Sequence, residues 1–134
     1  MDLQDMNDTQ RLKSRTALVV DDNVDSARMT EIFLKSQGHK TFVAHSGRQA
    51  LALFEEANPD FVFLDIGLPD IDGYEVCRLM REQDKGKKIT IIAQTGWGQD
   101  EHFKKSALAG FDLHLVKPVQ PSKIKSLINE LDNN

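Results

Sequence analysis

The chain has 134 residues, of which 40% are hydrophobic and 28% charged, a length and balance that fit one globular domain with its own core. Its formal net charge of −4 argues against nucleic acid as a direct partner, and its single cysteine, Cys77, excludes an internal disulfide and a cysteine-based metal cluster. Because no apolar run approaches the roughly 20 residues of a membrane span or stands near the N-terminus like a signal peptide, we expect a cytoplasmic protein without membrane contact.

Short apolar runs alternate with segments of helical spacing along the chain. Residues 1–14 have no apolar periodicity and mix both charge signs, which predicts a flexible N-terminal tail before a domain at residues 15–134. Apolar residues spaced three and four positions apart predict five helices, of which the fourth, about Gln99 to Ala109, has the thinnest apolar stripe. The apolar runs predict five strands, at Ala17–Val20, Thr41–Ala44, Phe61–Leu64, Ile89–Ala93 and Leu113–Val116.

Helix boundaries are marked by residues with strong positional preferences. Ser46 and Gln49 have the spacing of a capping box, and Asp72 is placed to begin the third helix. Gly38 can close the first helix in a left-handed conformation, and Pro121 suits the first turn of the last helix.

Five strands alternating with five helices predict an α/β fold with a parallel sheet covered on both faces. Right-handed crossovers leave few windings, of which an open doubly wound sheet is the simplest. The chain is too short for an eight-stranded barrel, which needs roughly 250 residues. In an open parallel sheet the working site lies beyond the carboxyl ends of the strands.

Polar residues that could take part in binding or catalysis follow four of the five predicted strands. Each of them alone is most often a solvated turn residue. Together they would place three carboxylates, one ammonium group and one hydroxyl at the same edge of one sheet. These residues are Asp21 and Asp22 after the first strand, Asp65 after the third, Thr95 after the fourth, and Lys117 with Pro118 after the fifth.

Such an acidic cluster indicates a divalent cation. Two carboxylates about 4 Å apart repel by about 4 kcal/mol at an effective dielectric constant near 20. Oxygen ligands without Cys or His favour Mg²⁺, which keeps several waters and binds one or two carboxylates together with phosphoryl oxygens. Because a carboxylate can act as a nucleophile that forms an aspartyl phosphate, we expect a metal and a phosphoryl group beside Asp65.

The chain resembles the receiver domains of two-component response regulators over residues 15–132, whether as a single-domain receiver or the C-terminal receiver of a hybrid sensor kinase. The resemblance rests on Asp21–Asp22, on "FLDIGLPDIDGYE" around Asp65, on "AQTGWG" around Thr95 and on "LVKPV" around Lys117, in the family's order and spacing. It implies a flavodoxin-like sheet with the strand order 2-1-3-4-5.

The resemblance also implies a metal-binding role for several matched positions. Asp65 would accept a phosphoryl group from a phosphohistidine on a sensor histidine kinase or a histidine phosphotransfer protein. Asp22 and Asp65 would bind Mg²⁺ through their carboxylates, Asp21 through a coordinated water, and Gly67 through its backbone carbonyl. The protein would then assist both its own phosphorylation and its own dephosphorylation, which is slow, without being an enzyme that turns over a substrate.

The remaining implied roles concern the phosphoryl group and a conformational switch. Lys117 and Thr95 would contact phosphoryl oxygens, and the peptide bond between Lys117 and Pro118 would be cis. In the family, movement of the Thr lets an aromatic ring on the fifth strand turn inward, which changes the face that helix 4, strand 5 and helix 5 present to a downstream target protein. Here that position holds His114, which is either a smaller, pH-sensitive switch residue or simply an exposed strand residue.

Three other functions compete with this interpretation. A flavodoxin-like FMN binder needs a hydroxyl- and glycine-rich loop after the first strand, where this chain has "DDNVDS". A Mg²⁺-dependent phosphatase of the aspartyl-phosphate type usually has a second Asp two residues after the nucleophile, where this chain has Gly67. A docking module that works without phosphorylation would not need the complete set of acidic, hydroxyl and ammonium groups.

Overall fold

The computed structural model describes residues 14–83, 88–96 and 107–132. Within them, five strands form one sheet in which every neighbouring pair is parallel. The strands are β1 (Thr16–Val20), β2 (Lys40–Ala44), β3 (Phe61–Asp65), β4 (Thr90–Thr95) and β5 (Leu113–Val116). Their spatial order, β2-β1-β3-β4-β5, confirms the predicted doubly wound α/β fold and the strand order 2-1-3-4-5.

Helices follow each of the first three strands and the last one. They are α1 (Val24–Ser36), α2 (Gly47–Ala57), α3 (Gly73–Glu82) and α5 (Pro121–Asp132), and the helical residues 107–109 before β5 are α4. The predicted fourth helix lies outside the described residues up to residue 106, as do residues 1–13 of the predicted tail. No described helix is long and apolar enough to cross a bilayer.

The side chains of the sheet alternate between two apolar layers because successive residues of a strand point to opposite faces. Leu18, Val62 and Leu64 pack with α2 and α3 on one face, whereas Val19 and Phe63 pack with α1 and α5 on the other. Every residue of β3 is buried. The continuous apolar runs of the sequence therefore reflect strands covered on both faces.

The helix ends follow the predicted signals, with one difference. Ser46 caps α2 by accepting a hydrogen bond from the Gln49 N–H, and Gly38, with φ of +89°, follows the end of α1. Asp72 caps α3, and α5 begins at Pro121 as predicted. The Gln49 side chain, however, accepts from the N–H of His45 rather than from that of Ser46, so the second bond of the expected capping box is shifted by one residue.

Candidate functional site

The register of the sheet brings the carboxyl ends of its strands to one edge. Val20 of β1 lies opposite Ala44 of β2 and Leu64 of β3, so the residues that follow each of them are neighbours at this edge. The Asp21 N–H donates to the Ala44 carbonyl at 3.0 Å, which extends the strand pairing by one residue and fixes the start of the acidic loop.

Lys117 joins two of the predicted carboxylates. Its Nζ donates to Asp21 Oδ2 at 3.0 Å and to Asp65 Oδ2 at 2.9 Å. Both carboxylates are buried, and the lysine side chain is largely so. The Lys117 N–H donates to the Thr95 carbonyl at 2.7 Å, so the pairing of β4 with β5 carries the lysine to the strand ends. Residues 96 positions apart in the sequence are thus ion-paired.

The second oxygen of each buried carboxylate is held by a nearby backbone N–H. Asp65 Oδ1 accepts from Gly67 at 3.0 Å, and Asp21 Oδ1 accepts from Asn23 at 3.0 Å. Each carboxylate is therefore fixed by one local bond and by the shared lysine, which leaves its orientation little freedom.

Asp22 completes the acidic cluster from an exposed position. One oxygen from each of Asp21, Asp22 and Asp65 lies within 4.8 Å of the others. Three ionised carboxylates and the Lys117 ammonium leave a formal charge of −2, which a divalent cation would neutralise. Hard oxygen donors without nitrogen or sulfur are the ligands that Mg²⁺ prefers, so these residues fit a magnesium ion.

The pKa values of the two buried aspartates, Asp21 and Asp65, are shifted in opposite directions. Burial raises the pKa of Asp65, and the hydrogen bonds from Lys117 and Gly67 offset this rise only in part. Burial has the same effect on Asp21, but the hydrogen bonds from Lys117 and Asn23 outweigh it and hold the pKa of Asp21 below its ordinary value. Burial lowers the pKa of Lys117, yet its bonds to both aspartates outweigh this and raise it. Near neutral pH the lysine is therefore charged, and Asp65 is the aspartate that is more easily protonated.

The other predicted site residues are Thr95, Pro118 and His114. Thr95 is buried at the end of β4, next to Gln94, which is the register partner of Asp65. The peptide bond between Lys117 and Pro118 is cis. His114 is half-buried in β5 opposite Ala93, a residue of the layer that contains α2 and α3, and so lies outside the acidic cluster.

Two contacts of the site were not anticipated from the sequence. His45 Nδ1 lies 3.0 Å from the backbone oxygen of Asp21, although the end of β2 shows no obvious functional group in the sequence. The strand register could have indicated this contact, because His45 and Asp21 follow the paired residues Ala44 and Val20.

The second contact ties the loop after Asp65 to α2. The Asp70 carboxylate accepts from the N–H groups of Gly47 at 2.7 Å and Arg48 at 2.9 Å. These bonds, that from Arg48 first, hold the pKa of Asp70 below its ordinary value. No spacing rule indicates this contact, because it depends on the path of the loop.

Comparison with known proteins places this geometry in a family. The family model for the response regulator receiver domain matches residues 17–129. The transcriptional regulatory protein AfsQ1 of Streptomyces coelicolor is 38% identical over 103 residues, which cover 77% of this chain and 44% of AfsQ1. This chain thus spans less than half the length of that relative.

Two solved structures share the fold along nearly their full length. The chemotaxis response regulator CheY4 of Vibrio cholerae superposes with a TM-score of 0.84 and 26% identity, covering 89% of this chain and 99% of CheY4. The receiver domain of the sensor histidine kinase PA1611 of Pseudomonas aeruginosa, with a magnesium ion coordinated in its active-site cleft, has a TM-score of 0.83 and 26% identity, covering 91% of this chain and all of that domain. On its sequence match and its architecture, the chain belongs to the family of response regulator receiver domains.

Proposed function

We propose that this receiver domain accepts a phosphoryl group on Asp65 in two-component or phosphorelay signalling. The donor would be a phosphohistidine of a sensor histidine kinase or of a histidine phosphotransfer protein. The observation that supports this most directly is the pair of bonds from Lys117 to Asp21 and Asp65, at 3.0 and 2.9 Å, beside the exposed carboxylate of Asp22. A buried carboxylate held on one side by a cation and open to an acidic cluster on the other is suited to reversible esterification.

In the transfer, a carboxylate oxygen of Asp65 forms a bond to phosphorus as the phosphorus–nitrogen bond of the donor breaks. The imidazole nitrogen of the donor keeps the electron pair of that bond. The Gly67 N–H fixes Asp65 Oδ1, so the attacking carboxylate is already oriented. Lys117, which bonds Asp65 Oδ2 before transfer, would then bond a phosphoryl oxygen, and the Thr95 hydroxyl would bond another.

A magnesium ion would be held by the carboxylates of Asp22 and Asp65 and by the Gly67 carbonyl, with Asp21 acting through a coordinated water. When bound, it would neutralise negative charge on the carboxylates and on the phosphoryl oxygens. The formal charge of −2 on the four side chains of the site supports this assignment.

Phosphorylation would signal through the face formed by α4, β5 and α5. A phosphoryl group adds close to two negative charges, which would draw Thr95 and Lys117 toward it. The described part of this face exposes three apolar side chains that a downstream target protein would cover, with Leu108 89% exposed and Leu113 and Val116 also exposed. His114, at the family's aromatic position on β5, is the proposed switch residue.

A mass measurement tests the proposed phosphorylation. We expect incubation with Mg²⁺ and acetyl phosphate to add the mass of one phosphoryl group to the intact wild-type chain and none to Asp65→Asn. The exposed Asp25→Asn variant on α1 is the matched control and should be modified like the wild type. Chelation of Mg²⁺ should prevent the adduct.

Other results of that experiment would favour the competing functions. Repeated turnover of a phosphate ester would indicate a phosphatase rather than a phosphoacceptor without turnover. A wild-type chain that binds Mg²⁺ but is never modified would indicate a docking module that works without phosphorylation. The cytoplasmic location expected from the sequence stays a prediction.

A further inference from the structure

Gln94 is a buried polar residue at the floor of a cavity. It lies near the end of β4 with only 2% of its surface exposed, and its side chain lines a cavity of about 430 Å³ between α1, β4 and α5. Among the described residues, the structure gives its side-chain carboxamide no hydrogen-bond partner. Because its carbonyl oxygen and NH₂ face the cavity and are reached by water there, a molecule bound in the cavity can replace that water with one donor and one acceptor.

The rest of the cavity is built like a small-molecule site. Apolar walls are supplied by Met29 and Phe33 of α1, by Val119 in the loop before α5 and by Ile124 in its first turn. Ser26 and Thr30 add hydroxyl groups. Ligand pockets typically have volumes of roughly 300–1,000 Å³, with mostly apolar walls and a few polar groups that fix the orientation of the ligand. The volume and lining of this cavity match that pattern.

The charges around the cavity favour an uncharged ligand. Lys117 also lines the cavity, but its ammonium is already bonded to Asp21 and Asp65. An anion placed here would compete with these carboxylates and lie close to a cluster that already carries a formal charge of −2. An uncharged molecule avoids this repulsion and can lie against the hydrocarbon part of the lysine side chain.

We propose that this cavity binds a small, uncharged, planar molecule that carries a carboxamide or a similar donor–acceptor edge. The edge pairs with the carboxamide of Gln94, whose NH₂ donates while its carbonyl oxygen accepts. The apolar body of the ligand lies between Phe33 of α1 and Ile124 of α5. This site shares Lys117 with the phosphoryl site proposed above, but its ligand would bond Gln94 and contact the apolar walls rather than occupy the metal or phosphoryl position.

The position of the cavity connects it to the acidic site. Gln94 lies directly opposite Asp65 in the pairing of β3 with β4, and its carbonyl accepts the N–H of Ile66 at 3.1 Å. Lys117 and Pro118 form part of the cavity wall. A ligand here contacts the same segments that hold Asp65, so any effect it has on Mg²⁺ binding must be matched by an equal effect of Mg²⁺ on its own affinity.

Three probes of the same size test the site. Benzamide has the proposed edge, benzoate has the same shape with a negative charge, and toluene has the ring alone. In a heteronuclear NMR titration of the metal-free chain, we expect benzamide to shift the backbone amide signals of Thr30, Val119 and Ile124 with a roughly millimolar Kd. Benzoate should bind at least about fivefold more weakly, which corresponds to about one hydrogen bond.

Two variants separate recognition by Gln94 from the mere presence of a cavity. Gln94→Leu keeps the volume of the side chain but removes the amide, so we expect benzamide to bind about fivefold more weakly and toluene to bind more tightly than in the wild type. Met29→Trp enlarges a residue that is 71% exposed at the cavity wall, so it should fold normally and reduce binding of all three probes.

Several results would overturn the proposal. If the amide signals of the lining residues do not shift even at the solubility limit of benzamide, the carboxamide of Gln94 is hydrated and binds no ligand of this kind. Equal binding of benzamide and benzoate would exclude the charge argument. Unchanged benzamide binding in Gln94→Leu would exclude the assigned hydrogen bonds, and unchanged binding in Met29→Trp would place the probes elsewhere.

Discussion

At the scale of single residues, the properties of the site depend on one cation shared by two buried carboxylates. Lys117 bonds Asp21 and Asp65 almost equally, at 3.0 and 2.9 Å, yet burial raises the pKa of Asp65 while local bonds hold that of Asp21 down. The aspartate proposed as the phosphoacceptor is therefore also the one that is less stable as an anion in the metal-free protein.

We predict that Asp65→Asn stabilises the metal-free protein at neutral pH. Because the folded-state pKa of Asp65 is raised, its contribution to stability is present at acid pH and is lost as the pH rises through that pKa. The neutral amide avoids this loss, and Lys117 keeps its bond to Asp21. Urea unfolding should show a gain on the order of 1 kcal/mol at pH 7 that shrinks toward acid pH. A loss of stability at pH 7, or an equal gain in Asp25→Asn, would contradict this.

We predict the opposite effect for Lys117→Met. Without the ammonium, two buried carboxylates would face each other, and leaving a buried charge unpaired typically costs about 3 kcal/mol. The loss should be largest at neutral pH and smaller at acid pH, where protonation relieves the repulsion. Chemical denaturation checks this, with the exposed Lys123→Met as the control. Adding Asp21→Asn to Lys117→Met should recover part of the lost stability.

At this scale the sequence predicts contacts between residues at the strand ends, but not contacts that depend on the conformation of a loop. Asp21, Asp65 and Lys117 follow apolar runs, so a parallel sheet was enough to bring them together. The contact of Asp70 with α2 depends on the conformation of the loop after Asp65, which no periodicity encodes. The unpaired amide of Gln94 could not be found from sequence either, because its burial depends on how α1 and α5 close over β4.

At the scale of secondary-structure elements, the strand ends are positioned by close packing of the helices that follow them. The first residue of α3, Gly73, lies directly against the backbone that leaves β3, where an added Cβ would be 2.5 Å from Ile66 Cα and 2.6 Å from the Asp65 carbonyl oxygen. Because backbone atoms cannot rotate away, this position admits only a hydrogen as a side chain.

Gly73, at the start of α3, and Gly96, just after β4, provide a matched pair of substitutions. We predict that Gly73→Ala destabilises the protein by about 2 kcal/mol or more, because relieving the overlap must displace the backbone that carries Asp65. At Gly96 an added Cβ would have no neighbour within 4 Å among the described residues, so Gly96→Ala should change the free energy of unfolding far less. Thermal and chemical unfolding of the two variants measure this, and equal losses would show that the contact at Gly73 is easily relieved.

Element boundaries show what apolar periodicity can and cannot locate. The fifth strand was predicted at Leu113–Val116 and is found there, β1, β2 and β3 each extend the predicted run by one residue, and β4 begins one residue after the predicted Ile89. β4 continues two residues beyond the predicted Ile89–Ala93, through Gln94 and Thr95, because hydrogen bonding to β3 and β5 does not require apolar side chains. A strand ends where its pairing ends, and polarity marks that point only approximately.

At the scale of the whole molecule, the fold collects residues from separate parts of the chain into one charged cluster. Alternating apolar runs and helical stripes were sufficient to predict the layers of the fold, since both faces of the sheet must be covered. The order 2-1-3-4-5 came from the resemblance to the family rather than from periodicity, because several windings satisfy the same pattern. The formal charge of −2 at the strand ends is a property of this assembled state alone.

Because the acidic cluster forms only in the folded chain, we predict that Mg²⁺ stabilises the folded protein. Binding at 100 times the Kd should raise the free energy of unfolding by about 2.7 kcal/mol. Because Asp65 must be ionised to serve as a ligand, the effect should weaken as the pH falls through its raised pKa. Thermal unfolding with increasing Mg²⁺ measures this. Asp22→Asn should lose most of the shift, Asp25→Asn should retain it, and an equal shift in both would show nonspecific binding.

The hydrogen bonds of Asp70 give the loop after Asp65 a second attachment. They satisfy the first two N–H groups of α2, at the far side of the sheet from β5, while His45 at the end of β2 contacts the backbone of Asp21. A rearrangement of that loop must therefore either preserve these bonds or leave the beginning of α2 exposed to solvent. Through these bonds the edge of the molecule opposite β5 is connected to the loop that follows Asp65, the proposed phosphoacceptor. Slower or faster amide exchange at Gly47 and Arg48 would therefore report a change at Asp65 from a distance.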